Sequence, residues 1–423
     1  MNYEHENSKQ LDWIIRVQIG LSILFSGSAV SFSFRGSTSV YVHIALTLFV
    51  FCTILCKYKA KLPIYKDKAN RYIISVIVIV LASSFINISS FSPTVTGICI
   101  LSLVQAFLLV YYFDTGEEAI KAFVFVMRFF AYTGLICWVV FEVIGVTRSW
   151  MPIIRLASNS VVSYRSIFIH NFIDGVTRNA GPFWEPSIYA SYLIIGMLLS
   201  HFVLHEKTNK LLPLFAALLS AQSSGGTMML FIFIILLVWD SNGENKSNSN
   251  ILKATVILCM LLVVFFWDNV QSMLLNLNPG IFSKIIQAMN DHQSETRLMS
   301  FVVDLEIWKE SPIFGVGVSA MEVRFLALRD IIAKITSMSH TSTSTEYIAA
   351  FGIGGLWINL LWIKAVFQNR KSTVFNIGVA LIFFIMLNEV SQINFVLTYF
   401  LLFSLLKLKY SYQLEADYCR NDI

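Results

Sequence analysis

Long apolar runs, separated by short charged stretches, repeat along the whole chain and constrain its fold more than any other feature. A helix needs about 20 apolar residues to cross a bilayer, and backbone groups in lipid must bond within their own segment. The sequence therefore predicts an all-α, polytopic transmembrane bundle of about 12 spans. The predicted spans lie near residues 12–32, 38–56, 72–90, 95–113, 122–145, 187–204, 211–222, 226–239, 251–271, 347–367, 373–388 and 392–407.

Composition agrees with a membrane protein. The chain is 56% hydrophobic and 13% charged, whereas an ordinary globular protein has about 25% charged residues. Basic residues crowd the link between the second and third spans, which favours a cytoplasmic position for that link. With an even number of spans, both termini are then predicted to be cytoplasmic. The basic residues of this link are Lys57, Lys59, Lys61, Lys66, Lys68 and Arg71.

Two long links remain on the outer side, and both are longer than ordinary connections. The first covers 146–186 and the second covers 272–346. They divide the chain into six parts: spans one to five, the first loop, spans six to nine, the second loop, spans ten to twelve and a cytoplasmic tail. The corresponding ranges are 1–145, 146–186, 187–271, 272–346, 347–407 and 408–423.

Short amphipathic helices lying at the membrane surface are predicted for both outer loops, and two of them can be located in the second loop. The first is predicted over Ser294–Trp308, with Asp304 and Glu306 on its polar face. Its apolar face carries Leu298, Phe301, Val302, Leu305 and Trp308. The second, over 320–336, has an apolar face formed by Met321, Phe325, Leu328, Ile332 and Ile335.

The first outer loop ends in the segment Arg178-Asn179-Ala180-Gly181-Pro182-Phe183-Trp184-Glu185-Pro186-Ser187, with Arg165 and His170 just upstream. Guanidinium groups bind phosphate oxygens in a bidentate manner, so Arg178 and Arg165 are candidate ligands for a diphosphate. Glu185 is a candidate for orienting a hydroxyl group. A structural reading stays open, in which Trp184 and Arg178 anchor the loop at the interface and Glu185 complements the helix dipole.

In the second loop, Arg297 and His340 are the candidates. Imidazole exchanges a proton near neutral pH, and His340 lies among hydroxyl side chains at the start of a span. The chain has no HExxH, Walker, CxxC or GxSxG motif and no DxD-like carboxylate pair in an outer loop, so the sequence predicts neither a metal nor another cofactor. It contains no nucleic-acid-binding module. All six cysteines fall in spans or on the cytoplasmic side, so no structural disulfide is expected.

Together these motifs resemble the O-antigen polymerase and O-antigen ligase superfamily of bacterial inner-membrane proteins. The resemblance rests on the Gly-Pro-Phe-Trp-Glu-Pro-Ser segment at 181–187 and on a large late outer loop. That loop carries Arg297, the segment Ser311-Pro312-Ile313-Phe314-Gly315-Val316-Gly317, then His340 and Phe351-Gly352-Ile353-Gly354-Gly355-Leu356. The segment at 181–187 is more similar to the polymerases than to the ligases.

The resemblance implies an inverting, metal-independent glycosyl transfer on the periplasmic face. Its substrate would be an undecaprenyl-diphosphate-linked oligosaccharide, in contact with membrane lipids and with a chain-length regulator protein as a further partner. His340 and Glu185 would be catalytic, and Arg178, Arg297, Arg165 and Trp184 would bind diphosphate or sugar. Two alternatives stay open: a ligase that transfers glycan to lipid A-core, and a lipid-linked oligosaccharide transporter or flippase.

Overall fold

The computed structural model describes residues 2–33, 37–58, 68–88, 92–155, 163–175, 177–240, 293–332, 340–367, 373–389 and 391–421. These residues are predominantly helical. The helices are α1 Asn2–Gly27, α2 Ser37–Lys57, α3 Lys68–Ile86, α4 Pro93–Tyr112, α5 Gly116–Trp138, α6 Pro186–Phe202, α7 Leu212–Ala221, α8 Ser224–Asp240, α9 Gln293–Glu310, α10 Val318–Ile332, α11 Thr343–Phe351, α12 Ile353–Val366, α13 Thr373–Leu387 and α14 Val396–Asn421.

Every predicted span within the described residues forms helix. Among the described helices, four are long and apolar enough to cross a membrane: Ser37–Lys57, Ala69–Ile86, Pro93–Tyr112 and Gly116–Val143, where the last includes a π-helical turn after α5. Prolines begin α4 and α6, where a missing backbone N–H costs nothing. The predicted ninth span, 251–271, lies outside the described residues.

Lysines from two parts of the chain meet at one end of the bundle. Lys57, at the end of α2, donates to the carbonyl oxygen of Tyr112 at 2.6 Å. Lys407 in α14 donates to the carbonyl oxygens of Phe113 and Val110. These ammonium groups bind carbonyl oxygens at the C-terminal end of α4, where the helix leaves acceptors available. Lys57 of α2 and Lys407 of α14 therefore lie at the same end of the bundle.

Helix α7 is short and ends inside the bundle. Gln222 adopts a left-handed conformation, with a φ of 48°, and reverses the chain into α8. Helix α8 packs along α6 in the same direction, because Gly226 faces Ala190 near their first turns and Phe202 contacts Phe233 further along. The seventh and eighth spans were predicted to be short, and the structure explains this because the chain turns between them within the bundle.

The first outer loop contains a three-stranded antiparallel sheet instead of the amphipathic helices that were predicted for both loops. Strands β1 Ile153–Arg155, β2 Ser163–Ser166 and β3 Asn171–Ile173 pair in that order, with Ile154 opposite Tyr164 and Arg165 opposite Phe172. No helix occurs in the described part of 146–185. The prediction of a helical loop is wrong here because these strands are too short to show an alternating pattern.

Both predicted helices of the second loop are present as α9 and α10, but α9 presents the opposite face to the protein. Phe301, on the predicted apolar face, is 41% exposed, whereas Asp304 on the predicted polar face is completely buried. In a membrane protein an apolar stripe can face lipid while polar groups turn towards the interior of the bundle. Helix α10 buries Met321 and Phe325, as predicted.

The two glycine-containing segments of the second loop and the tenth span bind each other through their backbones. The predicted span 347–367 is broken at Gly352, which has a φ of 60° and separates α11 from α12. Val316 and Gly317 donate to the carbonyl oxygens of Ala349 and Ala350, both at 3.0 Å. A Cβ atom at Gly315 would lie 2.3 Å from the carbonyl carbon of Ala350, so only glycine permits this approach.

Candidate functional site

His340 lies between two carboxylates, immediately before α11. Its Nε2 is 2.8 Å from Oδ1 of Asp304, and its Nδ1 is 3.6 Å from Oε2 of Glu346. The edge of the imidazole packs against Phe325, with ring centroids 4.4 Å apart. We call Asp304, His340 and Glu346 the acid–histidine cluster.

Asp304 reaches His340 from α9, which packs against α10 and α11 through a small apolar core. The hydroxyl of Thr345 donates to the second carboxylate oxygen of Asp304, so both oxygens accept hydrogen bonds. The backbone N–H of Thr341 donates to Oγ of Ser300 at 3.3 Å, which ties the residue after His340 to the same helix. The core between these helices contains Val303, Ile307, Val316, Met321, Phe325 and Ala349.

Glu346 is held from the other side by the segment that follows α13. Oγ of Ser391 donates to Oε2 of Glu346 at 2.7 Å, and the backbone N–H of Ser391 donates to the carbonyl oxygen of His340 at 3.3 Å. Ser342 begins α11, where its side chain accepts from the N–H of Thr345. Helices from the second loop and from the last part of the chain therefore build the cluster jointly.

The hydrogen bond to Asp304 determines which nitrogen of His340 can react. A carboxylate accepts the proton of Nε2, which leaves Nδ1 as the second protonation site, facing Glu346. Burial alone would lower the pKa of His340, but the carboxylates of Glu346 and Asp304 outweigh burial and raise this pKa from 6.5 to about 9. At neutral pH the cluster therefore contains an imidazolium between two acids.

The raised pKa predicts a stability that depends on pH. Because the folded protein binds the His340 proton more tightly, the stabilisation is complete below pH 6.5 and disappears as the pH rises through about 9. Its full size is on the order of 3 kcal/mol. As the pH rises from 6.5 to 9, we expect the thermal midpoint of the purified wild-type protein to decrease more than that of a His340→Gln variant. Parallel curves for the two proteins over this window would contradict the ion pairing.

Arg178 and Glu185 form a second group of polar residues at the start of α6. Burial lowers the pKa of the Arg178 guanidinium, and the nearby Glu185 carboxylate opposes this shift. The adjacent Asn179 fixes the segment to the end of α7, because its Nδ2 donates to Oγ of Ser220 at 2.8 Å. Glu389, two residues after the end of α13, places its carboxylate against Gly225 at the start of α8. The turn between α7 and α8 thus lies between this group and the segment that carries Ser391.

The other predicted site residues occupy different positions. Arg165 lies in β2, where its Nε is 3.0 Å from Oδ1 of Asp174 and its Nη1 donates to the carbonyl oxygen of Arg148. Trp184 is partly buried and packs against the main apolar core. Arg297 lies on α9, two turns before Asp304, and its side chain is outside the described residues. The structure therefore groups His340 with two acids and Arg178 with Glu185.

Asp304 and Glu346 are the site residues that the sequence reasoning missed. Glu346 follows His340 by six residues, within the hydroxyl-rich segment, and this proximity was the available signal. Asp304 is 36 residues away, and nothing local relates the two. Among the described residues, no group of three or more His, Cys, Asp or Glu side chains is arranged to hold a metal ion.

Comparisons of the chain with protein-family models, with curated protein sequences and with solved structures find no match in any of the three.

Proposed function

We propose that this protein is an O-antigen polymerase of the bacterial inner membrane. It would join undecaprenyl-diphosphate-linked oligosaccharide repeat units into a polysaccharide by inverting, metal-independent glycosyl transfer on the periplasmic face. The observation that supports this most directly is the acid–histidine cluster, in which Asp304 and Glu346 hold His340 at 2.8 and 3.6 Å. A buried acid–imidazole arrangement of this kind positions a group for proton transfer.

In the proposed reaction, a hydroxyl oxygen of the acceptor sugar attacks the anomeric carbon of the donor sugar. The bond from that carbon to the diphosphate oxygen breaks, and the configuration inverts. The hydroxyl proton passes to the acid–histidine cluster, and the leaving diphosphate takes the electron pair of the broken bond. Because His340 is already protonated at neutral pH, the proton passes to the carboxylate of Glu346, whose pKa burial raises from 4.5 to about 7.

The guanidinium groups of Arg178 and Arg297 would offset the charge that develops on the leaving diphosphate, since such electrostatic stabilisation is a large part of catalysis in dry sites. Glu185, beside Arg178, would orient the acceptor or the arginine itself. Arg165 and Trp184 would contact sugar or lipid at the margin of the site. The pairing of Arg165 with Asp174 favours a positioning role within the β-sheet for this residue.

The proposal includes a topology of twelve spans with both termini in the cytoplasm. Lys57 of α2 and Lys407 of α14 meet at the end of α4, and Ser319 of α10 contacts Thr96 near the start of α4, with hydroxyl oxygens 2.7 Å apart. Helix α4 has 20 residues and is about 30 Å long. The second outer loop is therefore docked at the end of the bundle opposite the lysines, which is the outer side if those lysines face the cytoplasm.

Deleting the gene in its host tests this function. We expect lipid A-core that carries a single repeat unit, because export and ligation of one unit do not require polymerisation. The lipopolysaccharide ladder on a gel is the measurement, and complementation with the intact gene is the control. Core with no repeat unit at all would contradict the polymerase and indicate the ligase, and an accumulation of repeat units on the cytoplasmic side would indicate a transporter.

A further inference from the structure

A groove of about 400 Å³ lies between the end of α3 and the α9–α10 pair. Polar side chains of several types line it. Its main lining residues are Asn87, Glu310, Ser311, Ser319, Val323 and Arg324. Because these residues belong to α3, α9, α10 and the α9–α10 link, the groove depends on the docked second loop.

The groove is well supported by the residues around it. Asn87 donates from Nδ2 to the carbonyl oxygens of Ser83 and Gly315, at 2.9 and 3.1 Å. Ser319 accepts from the backbone N–H of Ser92 at 3.0 Å. The walls are thus connected by hydrogen bonds between α3, α4 and the loop that binds at Gly352, which makes the groove a preformed feature of the fold.

Charge indicates which ligand suits this groove. Nη1 of Arg324 lies 2.5 Å from Oε2 of Glu310, and the two side chains are 52% and 36% exposed. An arginine neutralised by a carboxylate does not attract a diphosphate, which needs uncompensated positive charge. A sugar hydroxyl both donates and accepts, so it can bind a carboxylate and a guanidinium that lie side by side. The lining therefore fits a neutral, hydroxyl-rich ligand.

The position of the groove relates it to the proposed chemistry. Glu310 follows Asp304 by six residues on α9, which corresponds to about 9 Å along the helix. Arg324 precedes Phe325, whose ring contacts His340. If one part of a glycan occupied the groove, another part of the same glycan could therefore reach the acid–histidine cluster.

We propose that the groove lined by Asn87, Glu310, Ser319 and Arg324 is a saccharide subsite that binds the acceptor glycan beyond the sugar that reacts. This inference rests on the proposed function for the identity of the glycan, but binding in the groove does not depend on catalysis. By holding part of the acceptor, the subsite favours acceptors of more than one repeat unit and thereby influences the length of the product.

The test is glycan binding to the purified full-length protein in lipid nanodiscs. The probes are oligosaccharides of one and several repeat units, released by mild acid from the surface polysaccharide of the host and followed by saturation-transfer NMR. We expect the double variant Glu310→Gln/Arg324→Gln to bind them at least about tenfold more weakly. Val323→Trp, which extends a bulky side chain from an exposed position into the groove, should have the same effect.

Two controls separate this inference from the polymerase proposal. Glu306→Gln removes an exposed ion pair with Lys309 on the same helix, outside the groove, and should bind like wild type. His340→Ala should also bind like wild type although it makes no polymer. Unchanged binding in both groove variants, or displacement of the glycan by inorganic pyrophosphate, overturns the subsite while leaving the polymerase intact. A deletion strain with a normal ladder overturns the polymerase, whatever the binding result.

Discussion

Replacing His340 by alanine is expected to reduce glycan polymerisation at least about 100-fold, since a positioned proton-transfer group contributes about 10²–10⁴-fold to such reactions. The substitution removes the imidazole that lies between the carboxylates of Asp304 and Glu346. In a deletion strain carrying this variant, lipid A-core should show a single repeat unit and no ladder. The measurement is the ladder at a matched amount of protein in the membrane.

A second variant and a histidine control make this result specific. His340→Gln keeps a polar side chain of similar length but cannot carry the positive charge that lies between Asp304 and Glu346, so it should also lack the ladder. His205 is exposed, with a φ of 50°, and His205→Asn should be tolerated because asparagine adopts this conformation readily. A normal ladder from His340→Ala at matched protein level would remove His340 from the proposed mechanism.

Asp304→Ala is expected to have the second-largest effect, on both stability and activity. The carboxylate is completely buried and accepts from His340 and Thr345, so its removal leaves a buried imidazolium with one distant partner. Breaking a buried ion pair of this kind costs roughly 3–5 kcal/mol. We expect a lower thermal midpoint, reduced protein in the membrane and loss of the ladder.

Asp304→Asn separates the role in catalysis from the role in folding. The amide keeps the shape of the side chain and removes its charge, so the protein should accumulate at close to the wild-type level. Without this charge the pKa of His340 falls, and the pH at which stability declines should move below the wild-type value of about 9. Glu306→Ala is the matched control, because it removes an exposed carboxylate from the same helix. A wild-type pH profile in Asp304→Asn would contradict the pairing.

The helices were predictable because each apolar run is a local property of the sequence. The run at 95–113 corresponds to α4 at Pro93–Tyr112, and the run at 211–222 corresponds to α7 at Leu212–Ala221. The break at Gly352 was not predicted as an interruption of the tenth span. It depends on backbone hydrogen bonds from residues 313–317, and such partners are not visible in a run of hydrophobic residues.

The candidate site was predictable only in part. His340 is recognisable by its chemistry, and Arg178 and Glu185 by their position before a span. Asp304 was placed on the outward polar face of an amphipathic helix, because that reading assumes water outside and an apolar interior. The sheet of the first loop was missed for a different reason: its strands have only three or four residues each, which is too short for an alternating pattern to be recognised.

The contact between the loop at 313–317 and the break at Gly352 has a consequence for how this protein can evolve. Its hydrogen bonds join main-chain groups, so the side chains of Ile313 and Phe314, which are 58% and 47% exposed, are not required for it. Relatives should therefore differ freely at these two positions while retaining glycine at 315 and 352. Substitutions at positions 313 and 314 would then indicate that the surroundings of the protein have changed. Substitution of Gly315 or Gly352 would indicate that the contact holding α9 against α11 has been lost.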